Sequence, residues 1–333
     1  MANRQVAEAF VFLGEEALPL RYKPVRGSLK AVRDRSRDDL GDTVRYEEGK
    51  DYIVDYEAGT LRRAPGSRIA DGTLHPMYGV KAFNHNDYPD YSNQAYTVYA
   101  DYETEADTQG AQATAAGIER SGLLNRLVRK LRAGEEALYV VYGDSISTGG
   151  EASEESLAYF GRFADVLRRP YPEGCLRIVN KSIGGEDTHG GSARVDADVV
   201  PLNPDLVSIG YGMNDQNKHE EGVYTTTLEQ FERNLRVMID AIRAAGDTDL
   251  VLVTPCEPNP NWRHTSGNTP LYADVIRRLG QEYGIGVADA HAEWTAELAA
   301  GKTHESLLLN NINHPNDYGH WIYSKAFPKM FGR

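Results

Sequence analysis

Cysteine is nearly absent from this chain: only Cys175 and Cys256 occur among 333 residues, too few for a disulfide framework or a four-thiolate metal site. No run of about 18 apolar residues occurs, which argues against a membrane-spanning helix. Basic charge is also scarce, with 36 Lys and Arg against 49 Asp and Glu and a formal net charge of −13. Such a surface repels polyphosphates, and the densest basic stretch, Arg33 to Arg37, is offset at once by Asp38, Asp39 and Asp42. Neither nucleic acid nor a membrane is an expected partner. The segment Val6 to Leu13 is interrupted by Glu8 and lacks the unbroken apolar stretch of a secretory signal, so a cytoplasmic location is expected. His85-Asn86-Asp87 sits in a Tyr/Asn/Asp/Pro-rich loop and reads as a solvated turn, so no metal and no cofactor are expected. Repeats and low-complexity segments are lacking as well.

What is present is a globular composition, 41% hydrophobic and 26% charged, long enough for two domains. The first 111 residues carry strand signals at Ala9 to Leu13, Val44 to Tyr46, Tyr52 to Tyr56, Thr60 to Arg62 and Ala95 to Tyr102, with a hairpin turn at Glu57-Ala58-Gly59-Thr60. Ten of the 20 tyrosines fall in this stretch, as the aromatic preference of strands allows. A sugar-binding face would concentrate tyrosine too, but strand packing is the simpler reading. From Gln112 the period becomes helical, with Ile118, Leu123, Leu124, Leu127, Val128 and Leu131 along one face. Short apolar runs then alternate with amphipathic ones: Leu138 to Tyr142 and Leu157 to Arg168, Leu176 to Asn180 and Ala193 to Val200, Leu206 to Gly210 and Leu228 to Ala245. Leu250 to Thr254, Tyr272 to Tyr283, Gly286 to Ala290 and a last helix after Pro315 continue the series. Alternation of this kind implies crossover units and a mostly parallel sheet, with the site at the carboxyl ends of its strands.

The chemically loaded residues fall at those ends. Gly143-Asp144-Ser145-Ile146-Ser147 follows the first strand, Asn180 to Thr188 with Gly184-Gly185 the second, and Gly210-Tyr211-Gly212-Met213-Asn214-Asp215 the third. Asn311-Ile312-Asn313-His314-Pro315 precedes the last helix. Taken singly, each has a plain structural reading. Ser145 would cap a helix, Gly184-Gly185 would make a turn, Asn214-Asp215 an Asx-turn, and His314 would be a surface histidine before a proline.

Taken together, in this order, the four blocks resemble the SGNH (GDSL) hydrolase superfamily over residues 138–333. The resemblance implies a flavodoxin-like three-layer α/β/α hydrolase domain, residues 112–333; the strand signals of residues 1–111, on which the resemblance is silent, predict an all-β, sandwich- or jelly-roll-like accessory domain ahead of it. The resemblance also implies hydrolysis of esters or related acyl groups. A serine hydroxyl needs a base within hydrogen-bond reach to become a nucleophile, and Ser145 with His314 is the expected pair. By the same resemblance the oxyanion donors are the Ser145 N–H, the Gly185 N–H and the Asn214 side-chain amide, with Asp144 and Asp215 in support. Glycine at 185 lets the backbone approach the substrate, and the Asn214 amide is a donor that titration cannot remove.

One position departs from the family pattern. Three residues before the histidine, where an aspartate is usual, stands Asn311, whose amide orients a ring without supplying negative charge. Three readings stand: a Ser-His dyad oriented by Asn311 or a backbone carbonyl; a carboxylate from elsewhere, such as Asp317, Asp289 or Glu257; or an impaired enzyme. A β-rich region ahead of such a domain resembles bacterial carbohydrate esterases. The expected substrate is therefore a small acyl ester, an O-acetyl group on a carbohydrate or oligosaccharide. Glu257, Trp262 and Arg263, with Asn259, Asn261 and His264, are candidates for a sugar-facing wall. The alternatives are a thioesterase or lysophospholipase and, in a different class, a non-catalytic carbohydrate-binding protein.

Overall fold

The computed structural model describes residues 3–108, 113–220 and 223–332. The chain divides into two compact units. The first comprises Met1–Gly110, Pro258–Arg263 and Trp294–Gly319, the second Ala111–Glu257, His264–Glu293 and His320–Arg333. The boundary expected between residues 111 and 112 lies outside the described residues.

The first unit contains β1 (Asn3–Val11), β2 (Leu18–Pro19), β3 (Ala31–Arg33), β4 (Arg45–Tyr46), β5 (Tyr52–Asp55), β6 (Thr60–Arg63) and β7 (Thr97–Thr104). They form two antiparallel sheets, ordered β1-β7-β3-β4 and β2-β6-β5. The expected hairpin at residues 57–60 joins β5 to β6. Phe10, Val32, Val98 and Tyr102 of one sheet and Leu18, Tyr52 and Leu61 of the other share a single buried core. A bulge between Gln5 and Glu8 shifts the register of β1, with Ala7 at φ 52° and its N–H on the Asp101 carboxylate at 2.7 Å.

Beyond the bulge, Glu8 is fully buried and pairs with buried Lys302 at 2.5 Å. Tyr102 donates its hydroxyl to the same carboxylate at 2.5 Å, and the Lys302 ammonium lies 3.4 Å from the centroid of the Phe10 ring. Lys302 thus ties the C-terminal segment of this unit to its first strand. Burial lowers the Lys302 pKa, while the Glu8 charge opposes that shift.

The second unit contains β8 (Glu136–Gly143), β9 (Cys175–Asn180), β10 (Leu206–Gly210), a hairpin of β11 (Lys218–Glu220) and β12 (Val223–Tyr224), β13 (Asp249–Val253) and β14 (Gly286–Ala288). The helices, in chain order through the protein, are α1 (Ala115–Ser121), α2 (Asn125–Arg132), α3 (Tyr159–Arg168), α4 (Thr188–Asp198), α5 (Leu228–Ala245), α6 (Thr269–Tyr283), α7 (Ala290–Ala299), α8 (His304–Leu307), α9 (Asp317–Ser324) and α10 (Ala326–Lys329). The helical run expected through Leu131 is two helices: Gly122, at φ 66°, adopts the left-handed conformation that ends α1. Among the described residues, no helix is long and apolar enough to cross a membrane.

Five parallel strands are ordered β14-β13-β10-β8-β9, the flavodoxin-like order, with its switch point between β8 and β10. On one face Val140, Tyr142, Val207, Ile209 and Leu252 pack against Val195 of α4, Phe231 and Leu235 of α5 and Ile276 of α6. On the other, Tyr139 meets Phe163 of α3 edge-on, and Phe327 of α10 stacks on Phe163 with centroids 4.1 Å apart. A sheet covered on both faces explains why Leu138 to Tyr142 is a continuous apolar run rather than an alternating one. Helix starts are marked chemically: Thr227 and Gln230 form a capping box on α5, and Asp187 caps α4 through the N–H groups of His189 and Gly190.

Replacing Lys302 with Met leaves the Glu8 carboxylate buried without its cation. Urea unfolding should show a loss of about 3–5 kcal/mol, and joint replacement of Glu8 with Leu should recover much of it. An unchanged midpoint in the single variant would show that the pair carries no stability.

Candidate active site

Ser145 lies on the turn that leaves β8 over the sheet edge. Asp144 donates its N–H to the Gly210 carbonyl at 3.1 Å, fixing this turn to β10. The Ser145 carbonyl accepts from Thr148 Oγ1 at 2.6 Å and from the Gly150 N–H at 3.0 Å. Ser147 Oγ sits between Tyr159 Oη at 2.8 Å and the Gly210 carbonyl at 3.3 Å. Ser145 is therefore held by hydrogen bonds on both sides of it in the chain and is 8% exposed.

The loop after β9 arrives beside it. Ile183 N–H donates to the Gly143 carbonyl at 3.0 Å, and a Cβ built on Gly184 would stand 4.0 Å from Ser145 Cβ. Gly185 is at φ 77°, a conformation that favours glycine, and the side where a Cβ would project is open. Asn214, after β10, donates its side-chain amide to the Glu186 carbonyl at 2.9 Å, next to Gly185. Ser145, the Gly184-Gly185 turn and Asn214 are thus brought together at the carboxyl ends of β8, β9 and β10, on either side of the switch point.

Two buried carboxylates tie these loops together. Asp144 accepts from the Ile146 N–H at 2.9 Å. Burial pushes its carboxyl up to about 7, and backbone donors from Ile146, Ser147 and Met213 oppose the shift. Asp215 accepts from the Gly212 N–H at 3.1 Å and from the N–H of Thr188 at 3.0 Å and its hydroxyl at 2.5 Å. It links the loop after β10 to the start of α4, and burial raises its carboxyl to about 6.

Glu186 is a positioning residue that the motif reading passes over. Its carboxylate takes Arg194 of α4, with Nε 2.8 Å from Oε1, and the Tyr211 hydroxyl at 2.6 Å, while its carbonyl holds Asn214. Arg194 also stacks over the Tyr142 ring at 4.4 Å. The available signal was Glu186 eight residues before an arginine on the next helix.

Asn311 and His314 lie in the first unit, on a turn built by neighbouring asparagines. Asn310 Oδ1 accepts from the N–H groups of Ile312 at 3.0 Å, Asn313 at 2.9 Å and His314 at 2.8 Å. The Leu309 N–H closes the turn on the His314 carbonyl at 2.9 Å. Asn311 takes the left-handed conformation, φ 58°, which asparagine tolerates better than most residues. Its side-chain oxygen accepts from Asn259 Nδ2 at 3.1 Å, and its carbonyl from the same amide at 3.0 Å.

The other candidates are placed by contacts of their own. Ser36 donates to the Asp317 carboxylate. Asp289 pairs with Arg277, each of its oxygens at 2.8 Å, and Glu257 pairs with His291 Nε2 at 2.7 Å. Trp262 is buried with Met77, Phe83 and Ile312 and donates to His85 Nδ1 at 3.1 Å; Arg263 is exposed, its N–H on the Phe83 carbonyl at 3.0 Å.

A carboxyl that is harder to ionise when folded costs nothing below its unfolded pKa, and its full cost appears above the folded one. Asp144, Asp215 and Asp249, the last also raised by burial to about 6, make stability fall as pH climbs from about 4 to about 7. Buried His75, whose pKa is lowered, opposes this, and carboxyls held down by arginine, such as Glu232 between Arg278 and Arg236, oppose it below about pH 5. The thermal midpoint should be higher at about pH 5 than at about pH 7.5, with a smaller difference in Asp144→Asn. A midpoint that rises over that range would refute the assignment.

The GDSL-like Lipase/Acylhydrolase family matches residues 141–322. An acetylxylan esterase from Geobacillus stearothermophilus is 28% identical over 219 residues, covering 61% of this chain and 96% of that protein. Esterase TesA from Pseudomonas aeruginosa is 33% identical over 158 residues, 46% of this chain and 72% of that protein. A crystal structure of the Geobacillus stearothermophilus acetylxylan esterase is similar over 59% of this chain and 94% of its own, at 25% identity and a TM-score of 0.49. With a family match over more than half its length, the chain belongs to the GDSL-like lipase/acylhydrolase family of the SGNH superfamily and is a serine esterase.

Proposed function

We propose that the protein removes small acyl groups, acetyl above all, from carbohydrate esters. The observation that carries this reading is the convergence of Ser145, the Gly184-Gly185 turn and Asn214 at three strand ends. Ser145 Oγ attacks the ester carbonyl and His314 takes its proton. The oxyanion is received by the N–H groups of Ser145 and Gly185 and by the second N–H of the Asn214 amide, the first being given to Glu186. Collapse of this intermediate releases the alcohol, which takes the proton from His314 and leaves acetyl-Ser145. Water, deprotonated by the same histidine, then frees acetate and restores the serine.

The fixed donors explain why the loops are so heavily braced. An oxyanion donor acts only when it is already aimed, and loss of one costs on the order of a hundredfold to a thousandfold in rate. Glu186 serves that aim twice, holding Asn214 through its carbonyl and α4 through its carboxylate. For the substrate, support comes from the similarity to an acetylxylan esterase along nearly the whole of that enzyme. The sequence also lacks a long apolar stretch suited to an acyl chain.

The protein should hydrolyse p-nitrophenyl acetate far faster than the octanoate and release acetate from acetylated xylo-oligosaccharides. Ser145→Ala should lose at least about a thousandfold. Equal rates for wild type and Ser145→Ala would sink the nucleophile, and a preference for octanoate would sink the substrate class. Asn311→Ala should keep much more activity than His314→Ala if a dyad operates; equal, near-total losses would make the asparagine essential.

A further inference from the structure

The turn carrying His314 is held by residues of the N-terminal β region, all within the first unit. Asn93, 1% exposed, donates its backbone N–H to the Leu309 carbonyl at 2.6 Å. Its side-chain amide donates to the Leu308 carbonyl at 2.8 Å and the Glu305 carbonyl at 3.3 Å. Leu309 is the residue whose own N–H closes the His314 turn. Ser92 Oγ adds a further donor to the Leu309 carbonyl at 3.2 Å.

The far side of the turn is gripped as well. Buried Ser36, 281 residues earlier in the chain, donates to the carboxylate of Asp317, just past His314. The Val11 N–H, at the end of β1, donates to Ser306 Oγ at 3.0 Å, and the Ser306 carbonyl accepts from Asn316 Nδ2 at 2.8 Å. These contacts are chemically specific. α8 is a single short turn whose last carbonyls have no donor within the helix, and Asn93 supplies one from another element. A buried amide is costly unless its hydrogens are placed, so an asparagine here fixes those carbonyls where an apolar side chain would only fill space.

We propose that the N-terminal β region is the scaffold that positions His314, with Asn93 and Ser36 as positioning residues, and is not a separable binding accessory. The proposal rests on the reading of His314 as the base. A displaced base slows every substrate. It slows most those whose leaving alkoxide needs the proton back, and least those whose phenolate departs unprotonated. Displacement by about 1 Å costs up to about a hundredfold.

The test compares full-length wild type with Asn93→Ala, Ser36→Ala, Ser36→Thr and His314→Ala on p-nitrophenyl acetate and on an alkyl acetate. Asn93→Ala and Ser36→Ala should lower kcat about tenfold to a hundredfold with KM little changed, more on the alkyl ester, and Ser36→Thr should restore it. Wild-type kcat in both alanine variants, with His314→Ala inactive, would overturn the scaffold proposal alone. So would equal losses on the two esters, or no rescue by threonine. Full activity in His314→Ala would overturn the base assignment and the scaffold proposal with it.

Discussion

The site depends on two facing glycines. Gly143 and Gly210 pair directly across β8 and β10. A Cβ on Gly143 would fall 2.2 Å from the Gly210 carbonyl oxygen and 2.5 Å from Ser147 Oγ, and one on Gly210 would fall 2.6 Å from Ser147 Oγ. Neither strand end tolerates a side chain, because the turn carrying Ser145 folds back over both. This closeness lets the Asp144 N–H reach β10 and Ser147 reach both Tyr159 and the Gly210 carbonyl. A larger residue at either position would lift the Ser145 turn from the sheet, and the loops docked on it would lose their reference.

Buried charge is used in opposite ways in the two units. Glu8 and Lys302 neutralise each other, and Tyr102 adds a hydrogen bond, so the penalty for burying them is met locally. Asp144 and Asp215 are held instead by backbone N–H groups and a hydroxyl. Each hydrogen bond to a charged acceptor contributes about 1.5–3 kcal/mol, comparable in sum with a desolvation cost of several kcal/mol. Their raised pKa values show that desolvation retains the upper hand. Stability is given up at the loops that keep one conformation, as the oxyanion donors proposed above would require.

The parallel sheet was legible in the sequence because strands buried on both faces leave unbroken apolar runs; Leu206 to Gly210 and Leu228 to Ala245 were even bounded to the residue. The motif residues of the second unit were legible because each follows a strand closely. Three features were not. The Gly122 break hides inside an amphipathic run that reads equally well as one helix. Trp262 sits among polar loop residues, yet its partners Met77 and Phe83 come from far away in the chain, so its burial leaves no local trace. The attachment of residues 294–319 to the first unit also rests on long-range bonds, such as Asn93 to Leu308 across 215 residues, and short-range periodicity carries no information about those.

Asn311 can be weighed by what surrounds it. Where a catalytic aspartate is replaced by asparagine in an otherwise unchanged triad, about ten-thousandfold in rate is lost, because the amide favours the wrong tautomer of the histidine. Here the side-chain oxygen of Asn311 accepts from Asn259, and the backbone around it is fixed by Asn310, which gathers the N–H groups of Ile312, Asn313 and His314. The left-handed conformation at 311 suits asparagine for reasons independent of catalysis. The turn is therefore organised by amides and backbone throughout. Asparagine at 311 is thus accounted for by the fold of the turn, whichever group orients the histidine ring.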